Sequence, residues 1–203
     1  MAMTDFSTTS IVELATLVAE HLHSHGIEVV LVGGLAVEIY TENLYLTKDI
    51  DMVNINYQAP AKIHAAMLEL GFHKKGRVYV NESTDISVEF PSPPLSVGDE
   101  LIKSTTKLTI ANRSIPILKV EDVVKDRIAA YIHWSDKQSL IQAAAIILKH
   151  KLKPKMFRQF CEVEGSPDDY SLLEKLCEQA SKNRLSTMME LESVLTELLI
   201  RRL

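Results

Sequence analysis

The sequence predicts an α/β (α+β) protein, with an α/β region over residues 1–118 and an all-helical region over residues 119–203. Two observations indicate this class. As far as Leu118, short apolar runs rich in Val and Ile alternate with segments of helical periodicity, and beyond it only helical periodicity is found. A hydrophobic content of 46% with 24% charged residues argues against disorder. The junction lacks linker composition, so we expect the helical region to pack on the α/β region.

The first elements are a helix and a buried strand. Ser10 and Glu13 form the Ser-x-x-Glu pattern of a capping box, which satisfies free amides at a helix start. Apolar residues recur at helical spacing as far as Leu22, and Gly26 ends the helix. Residues 28–32 are then a nearly continuous apolar run, typical of a buried strand.

Two glycines, Gly33 and Gly34, end this strand and lead into a short predicted helix over residues 35–40. A second helix begins at Ala59-Pro60, because proline suits the first turn of a helix, and ends at Gly71. The remaining elements predicted in this region are strands over residues 46–53, 77–80 and 86–90, and a hairpin of residues 108–110 with 115–118.

The second region carries helical patterns over residues 120–134, 137–151, 155–162 and 170–203. Its last segment has a broad apolar stripe, for which we expect core packing. A surface for a partner or for a second copy of the chain is the alternative interpretation. The stripe consists of Leu185, Met188, Met189, Leu191, Leu195, Leu198 and Leu199.

Composition excludes several classes of protein. The 27 acidic and 22 basic residues give a net charge of −5, whereas a general duplex-DNA coat needs a dominant basic field. The longest apolar run, residues 29–37, is interrupted by two glycines and is too short to cross a bilayer, and the first residues lack the pattern of a signal peptide. Cys161 and Cys177 form no CxxC pattern, so we expect reduced cysteines in a cytoplasmic protein.

Carboxylates on two predicted strands are the main candidates for chemistry. Asp49 and Asp51 are two residues apart, so in a strand they face the same side. Two carboxylates so close repel each other unless a cation lies between them, and oxygen ligands suit Mg²⁺ (or Mn²⁺). Glu89, well inside the strand at 86–90, is the candidate third ligand, whereas Asp85 begins that strand and suits a turn. Solvated surface carboxylates are the alternative interpretation of all of them.

The Gly33-Gly34 pair indicates a phosphate site. Glycine lets the backbone approach a ligand closely, and the start of a helix offers free amides to an anion. Alone, either the glycine pair or the Asp-x-Asp pattern is weak evidence. In the order strand, Gly-Gly, helix, strand with Asp-x-Asp, the two patterns together are much more specific for phosphate beside a divalent cation.

These residues resemble the DNA polymerase β-type nucleotidyltransferase superfamily, and within it the minimal prokaryotic branch that includes the AbiEii-like toxins. The resemblance covers roughly residues 29–148, including helical segments at 120–130 and 133–140 that are similar to the branch's helices after the sheet. It implies a nucleotidyltransferase fold with a mixed β-sheet flanked by helices. It also implies transfer of NMP from an NTP such as ATP to a hydroxyl on RNA, a protein or a small molecule, with Mg²⁺ or Mn²⁺ as cofactor.

The same resemblance implies a role for each candidate site residue. Asp49, Asp51 and Glu89 would be the catalytic metal ligands, and Gly33 and Gly34 would hold the nucleotide phosphates. The further candidates for nucleotide binding are Thr47 and Lys48, just before the first aspartate, and Lys125, Arg127 and Asp136 in the helical region.

Lys125 and Arg127 are two residues apart on a predicted helix and do not share a face, so at most one of them contacts a phosphate. A local ion pair is the alternative interpretation of these charges.

A second hypothesis is a catalytically degenerate protein of the same fold that binds a nucleotide or a partner. It rests on Lys48 before the first aspartate, and on Ser139, where the toxin branch often has a second aspartate. A toxin-like protein would also imply an antitoxin as partner. A Rossmann-type dinucleotide binder is disfavoured, because the turn after Val32 reads Gly-Gly-Leu-Ala-Val-Glu and not GxGxxG.

Histidines mark the end of the first predicted helix. His21 and His25 are four residues apart, a spacing that can bind a metal ion, but no third ligand is evident in the sequence. The favoured interpretation is a pair of histidines placed near the negative end of the helix dipole.

Overall fold

The computed structural model describes residues 5–110, 112–185 and 187–201. The α-helices are α1 (Ile11–Ser24), α2 (Gly33–Thr41), α3 (Pro60–Glu69), α4 (Val120–Trp134), α5 (Lys137–Lys149), α6 (Arg158–Glu164), α7 (Pro167–Asn183) and α8 (Met188–Ile200), with a 3₁₀ turn at Pro154–Phe157. The strands are β1 (Val29–Val32), β2 (Asp49–Asn54), β3 (His73–Lys75), β4 (Val78–Val80), β5 (Ser87–Glu89), β6 (Ser96–Val97), β7 (Glu100–Leu101), β8 (Thr106–Ile110) and β9 (Arg113–Ile117).

The chain divides into two compact units. The first contains the described residues up to Ala36, then Leu46–Ser96 and Leu101–Lys119; the second contains Val37–Tyr45, Val97–Glu100 and the chain from Val120 onward. The predicted α/β class is confirmed.

The first unit is built on a seven-stranded mixed sheet in the order β3-β4-β5-β2-β1-β9-β8. β2 runs antiparallel to β1 and parallel to β5, and β1 runs parallel to β9. The predicted late hairpin is confirmed as β8 and β9. β2 therefore lies at the middle of the sheet, between the strand that leads into the glycine pair and the strand that carries Glu89.

Helix α1 forms as its sequence predicts. The Ser10 hydroxyl accepts a hydrogen bond from the Glu13 amide, and the Glu13 carboxylate accepts one from the Ser10 amide, so the capping box is confirmed. The apolar face of the helix is fully buried at Leu14, Val18 and Leu22. It packs on β1, β9 and α3, which closes one side of the first unit.

The second unit is a packed set of helices in which α5 is buried most deeply; Ile141, Ala143, Ala144 and Ile146 are fully buried. The helical pattern predicted over residues 170–203 is divided between α7 and α8. The division occurs because Arg184 adopts a left-handed conformation (φ 56°) and Thr187 caps a new helix in a second capping box with Glu190. Core packing of the apolar stripe is confirmed at Leu191, Leu195 and Leu198, whereas Met189 is 79% exposed.

Both cysteines are free and buried, on α6 and α7, as expected for reduced residues. Burial raises the pKa of the Cys161 thiol to about 12. Within the described ranges, none of the helices has the length and apolar character needed to cross a membrane.

Candidate functional site

The central strands bring the predicted carboxylates to one face of the sheet. Ile50 and Met52 of β2 are fully buried, so Asp49 and Asp51 project to the opposite side, where Asp49 is exposed and Asp51 half-buried. In the parallel ladder with β5, Asp49 pairs with Ser87 and Asp51 with Glu89. Residues paired in this way stand about 4.8 Å apart on the same face. The strand register thus places Asp51 and Glu89 side by side.

The glycine pair lies against this carboxylate face. Val32, the last residue of β1, pairs with Asp51, so the next residue, Gly33, begins α2 directly beside that side chain. A Cβ atom at Gly33 would come within 3.0 Å of Asp51 Cβ and 2.9 Å of its Cγ, and still closer to Oδ2. Gly33 also has a φ of +65°, which favours glycine. A Cβ at Gly34 would meet Thr47 Oγ1 at 3.2 Å.

Two hydrogen bonds hold Asp49, one at its side chain and one at its backbone. The Ser87 hydroxyl donates to Asp49 Oδ1 at 2.6 Å, and the Asp49 amide donates to Thr47 Oγ1 at 3.1 Å. Thr47, predicted as a nucleotide contact, thus holds the Asp49 backbone, and its side chain lies next to Gly34. The hydrogen bond from Ser87 uses Oδ1 of Asp49, so Oδ2 remains for a cation.

Charged neighbours flank the same face. Arg77 Nε lies 3.8 Å from Glu89 Oε1, although the Arg77 side chain is 89% exposed. Lys48, also predicted as a nucleotide contact, instead pairs at 3.0 Å with Asp85, and both side chains are largely exposed. Asp85 precedes β5, in agreement with its prediction as a turn residue.

The donor set fits a hard divalent cation. Three carboxylates lie on adjacent strands, and Gly33 has no side chain to fill the space beside Asp51. Such a set suits the oxygen coordination of Mg²⁺ or Mn²⁺. Their oxygens do not yet converge: within the described chain, Asp49, Asp51 and Glu89 are not among the groups whose ligand atoms all lie within 4.8 Å. Because the backbones are already adjacent, side-chain rotation is the change that coordination requires.

The other predicted site residues belong to the second unit. Lys125, on α4, forms an ion pair with Glu100 and lies over the ring of Phe160. Arg127 pairs with its neighbour Asp126, the local ion pair that the sequence left open.

Asp136 caps α5. Its carboxylate accepts hydrogen bonds from the Gln138 amide at 3.1 Å and the Ser139 hydroxyl at 2.6 Å. The contacts of Asp136, like those of Lys125 and Arg127, therefore lie inside the helical unit.

Comparison with known proteins finds relatives by structure. No protein-family model matches the chain, and no curated protein matches its sequence. A nucleotidyltransferase-like protein from Paracoccidioides brasiliensis superposes with a TM-score of 0.54 at 15% identity, over 90% of each chain. ANT(2″)-Ia in complex with adenylyl-2″-tobramycin superposes with a TM-score of 0.51 at 13% identity, over 74% of this chain and 96% of that one. The chain has the nucleotidyltransferase fold.

Two side chains of this nucleotidyltransferase fold were missed as site residues. Ser87 is positioned by the same alternation that exposes Glu89, two residues later on β5, so the sequence did carry a signal for it. Arg77 precedes β4, and its approach to Glu89 depends on the antiparallel pairing of β4 with β5. The sequence predicted both strands, at 77–80 and 86–90, but their pairing was not predicted, so Arg77 was not placed beside Glu89.

Proposed function

We propose that the protein is a divalent-cation-dependent nucleotidyltransferase that transfers NMP from an NTP to a hydroxyl acceptor. The observation that supports this most is the register that sets Asp51 between Gly33 and Glu89. In that arrangement the start of α2 and the strand positions of Asp51 and Glu89 are neighbours, so amides and carboxylates can reach one space once the carboxylates rotate toward each other. A triphosphate needs both kinds of group, donors for its oxygens and cations for its charge.

The proposed step is an in-line displacement at the α-phosphorus. The acceptor oxygen forms a bond to that phosphorus, the bond to the bridging oxygen of the β-phosphate breaks, and pyrophosphate leaves. Asp49 and Asp51 would hold the cations, and Glu89, beside the acceptor, would complete the ligand set and accept the hydroxyl proton. Bound Mg²⁺ would neutralise phosphate charge and lower the pKa of the attacking hydroxyl. Positioning and electrostatics would supply most of the acceleration.

The acceptor classes to be tested are RNA, protein and small molecules. Small hydroxyl compounds include aminoglycosides, since the structurally similar ANT(2″)-Ia is seen with adenylyl-2″-tobramycin. The experiment supplies each α-labelled NTP with Mg²⁺ or Mn²⁺ and, separately, total RNA, lysate protein and a set of aminoglycosides. We expect label in one acceptor class and release of pyrophosphate.

The decisive variant is Asp49→Asn with Asp51→Asn, and its matched control is Asp85→Asn. Asp85 carries the same charge near the same strand, but it pairs with the exposed Lys48. We expect the double variant to lose transfer by at least a thousandfold and the control to keep it. Unchanged nucleotide and cation affinity in the double variant would contradict the proposal.

The second candidate is a nucleotide- or partner-binding module without catalysis. The observation that favours it is the orientation of Glu89, whose carboxylate lies beside Arg77 and does not converge with Asp49 and Asp51. This candidate predicts NTP binding that depends on Asp49 and Asp51 but no label transfer to any acceptor. Calorimetry with Mg²⁺ and each NTP, beside the labelling experiment, separates the two.

A toxin-like role with an antitoxin partner is a finer proposal on the same site. It predicts that expression in bacteria slows growth and that Asp49→Asn with Asp51→Asn relieves the effect at equal protein level. Normal growth on expression of an enzyme that is active in vitro would contradict the toxin role and leave the transferase proposal intact.

A further inference from the structure

A cluster of two histidines and a carboxylate lies where α1 and α3 end. His21 is in the last turn of α1, His25 is its C-cap residue, and Glu69 is the last residue of α3. One ligand atom from each of the three side chains lies within 4.8 Å of the other two. The sequence showed the histidine pair and lacked a third ligand; the packing of α1 against α3 supplies Glu69.

The two rings are held in place by backbone carbonyls. His25 Nδ1 lies 2.9 Å from the carbonyl oxygen of His21, to which it donates, so in the neutral ring the lone pair is on Nε2. In the protonated ring, that Nε2 donates to Glu69 Oε2 at 2.9 Å, so a bound cation would take the place of this proton. A hydrogen bond from the far ring nitrogen to a carbonyl is the usual support of a histidine ligand, because it sets both the tautomer and the ring orientation.

His21 faces the same carboxylate. Its Nε2 lies 3.9 Å from Glu69 Oε2 and 2.8 Å from the carbonyl oxygen of Ala66, and the two imidazole rings are 4.5 Å apart. Ligands of a tetrahedral zinc ion with bonds of about 2.0–2.1 Å stand about 3.4 Å apart. Rotation of His21 and Glu69 brings the three atoms to coordination distance. The hydrogen bond to Ala66 is then lost, and the ring proton of His21 moves from Nε2 to Nδ1 so that Nε2 can bind the cation.

The chemistry of the set selects the cation. Two imidazole nitrogens and one carboxylate oxygen suit Zn²⁺ and similar divalent transition metals, whereas Mg²⁺ prefers oxygen alone. The side chains are 21%, 32% and 53% exposed in the order His21, His25, Glu69, so a cation can enter from solvent and water can complete its coordination. The set shares no residue with the carboxylate face, and the whole of β1 separates His25 from Gly33 along the chain.

We propose that His21, His25 and Glu69 form a binding site for a divalent transition metal of the Zn²⁺ class, which joins the ends of α1 and α3. The site does not depend on nucleotidyl transfer, so it can be tested separately from the proposed function.

The test is titration of the full chain with Zn²⁺ by calorimetry and with Co²⁺ by visible absorption, both in millimolar Mg²⁺ so that oxygen-only sites are occupied. We expect one Zn²⁺ per chain, a ligand-field spectrum with Co²⁺, and a rise in melting temperature when metal is added. His25→Ala and Glu69→Gln should each weaken binding by at least tenfold.

Matched controls isolate the cluster. His23→Ala removes an exposed histidine from the same helix turn, two residues away and on another face, and should leave affinity unchanged. Asp49→Asn with Asp51→Asn should also keep Zn²⁺ binding. No saturable Zn²⁺ or Co²⁺ binding, or binding that survives in His25→Ala and Glu69→Gln, would overturn the proposal and leave a hydrogen-bonded pair that joins two helices.

Discussion

The close contact between Gly33 and Asp51 gives a prediction with its own internal control. In Gly33→Ala the new Cβ would meet Asp51 Cβ at 3.0 Å and Cγ at 2.9 Å, so the carboxylate must leave its position. The residue must also hold a φ of +65°, which costs a non-glycine residue about 1–2 kcal/mol. Gly76 has nearly the same φ, +64°, but a Cβ there would meet nothing within 4 Å. Gly76→Ala therefore carries the backbone cost alone.

We expect urea denaturation to show a loss of about 1–2 kcal/mol for Gly76→Ala and a larger loss for Gly33→Ala. Titration with a fluorescent ATP analogue in Mg²⁺ should show unchanged affinity for Gly76→Ala and at least a tenfold loss for Gly33→Ala, which corresponds to about 1.4 kcal/mol. Equal nucleotide affinity in the two variants would refute the reasoning, because it would show that the clash with Asp51 has no effect on nucleotide binding.

Three further perturbations test the site and the packing. Ser87→Ala removes the hydrogen bond to Asp49 Oδ1, and we expect a loss of about 1 kcal/mol in urea denaturation and a several-fold weaker Mg²⁺ affinity by calorimetry. Burial acts to raise the pKa of Glu164, but hydrogen bonds from the Asp99 amide and His133 outweigh it, so the pKa falls below the usual 4.5. The stability that this carboxylate contributes is therefore complete above pH 4.5 and lost as the pH falls through the lower folded value; Glu164→Gln should flatten the acid limb of a pH-dependent denaturation series. Thr187→Ala deletes the capping box of α8 and should cost about 1 kcal/mol in urea denaturation with no change in nucleotide affinity.

Local sequence patterns were enough to predict much of the fold. The capping box at Ser10, the apolar run of β1 and the alternation of β2 were readable, because each pattern lies within one short stretch of chain. The division between α7 and α8 was missed because the apolar periodicity continues across it. Thr187 and Glu190 do form the same kind of capping-box pattern as Ser10 and Glu13. β3, β6 and β7 were also missed. β3 has no apolar residue and is exposed throughout, and β6 and β7 have only two residues each, so none of them shows the alternation of a strand.

The candidate site likewise has a part that the local sequence predicts and a part that depends on the tertiary fold. Asp49, Asp51 and the glycine pair lie within one short stretch of chain, so the alternation of a single strand was enough to group them. The pairing of Asp51 with Glu89 is a parallel register set by the whole sheet, and local pattern does not specify it. Lys125 pairs with Glu100, 25 residues away, and Glu69 meets His25 across 44 residues, so both partners depend on tertiary packing.

The contact between Arg77 and Glu89 bears directly on whether the protein is active. An ion pair with its cation 89% exposed and its charges 3.8 Å apart is worth about 0–1 kcal/mol, because water and salt screen it. Coordination of a divalent cation by three carboxylates contributes much more binding free energy than this ion pair does. Arg77 is therefore too weak a partner to keep Glu89 out of a metal site. Arg77→Ala should therefore change the free energy of unfolding by less than about 0.5 kcal/mol and leave Mg²⁺ affinity within a factor of two or three. A tenfold or greater gain in Mg²⁺ affinity in this variant would mean that Arg77 holds the site closed, and would favour the non-catalytic candidate.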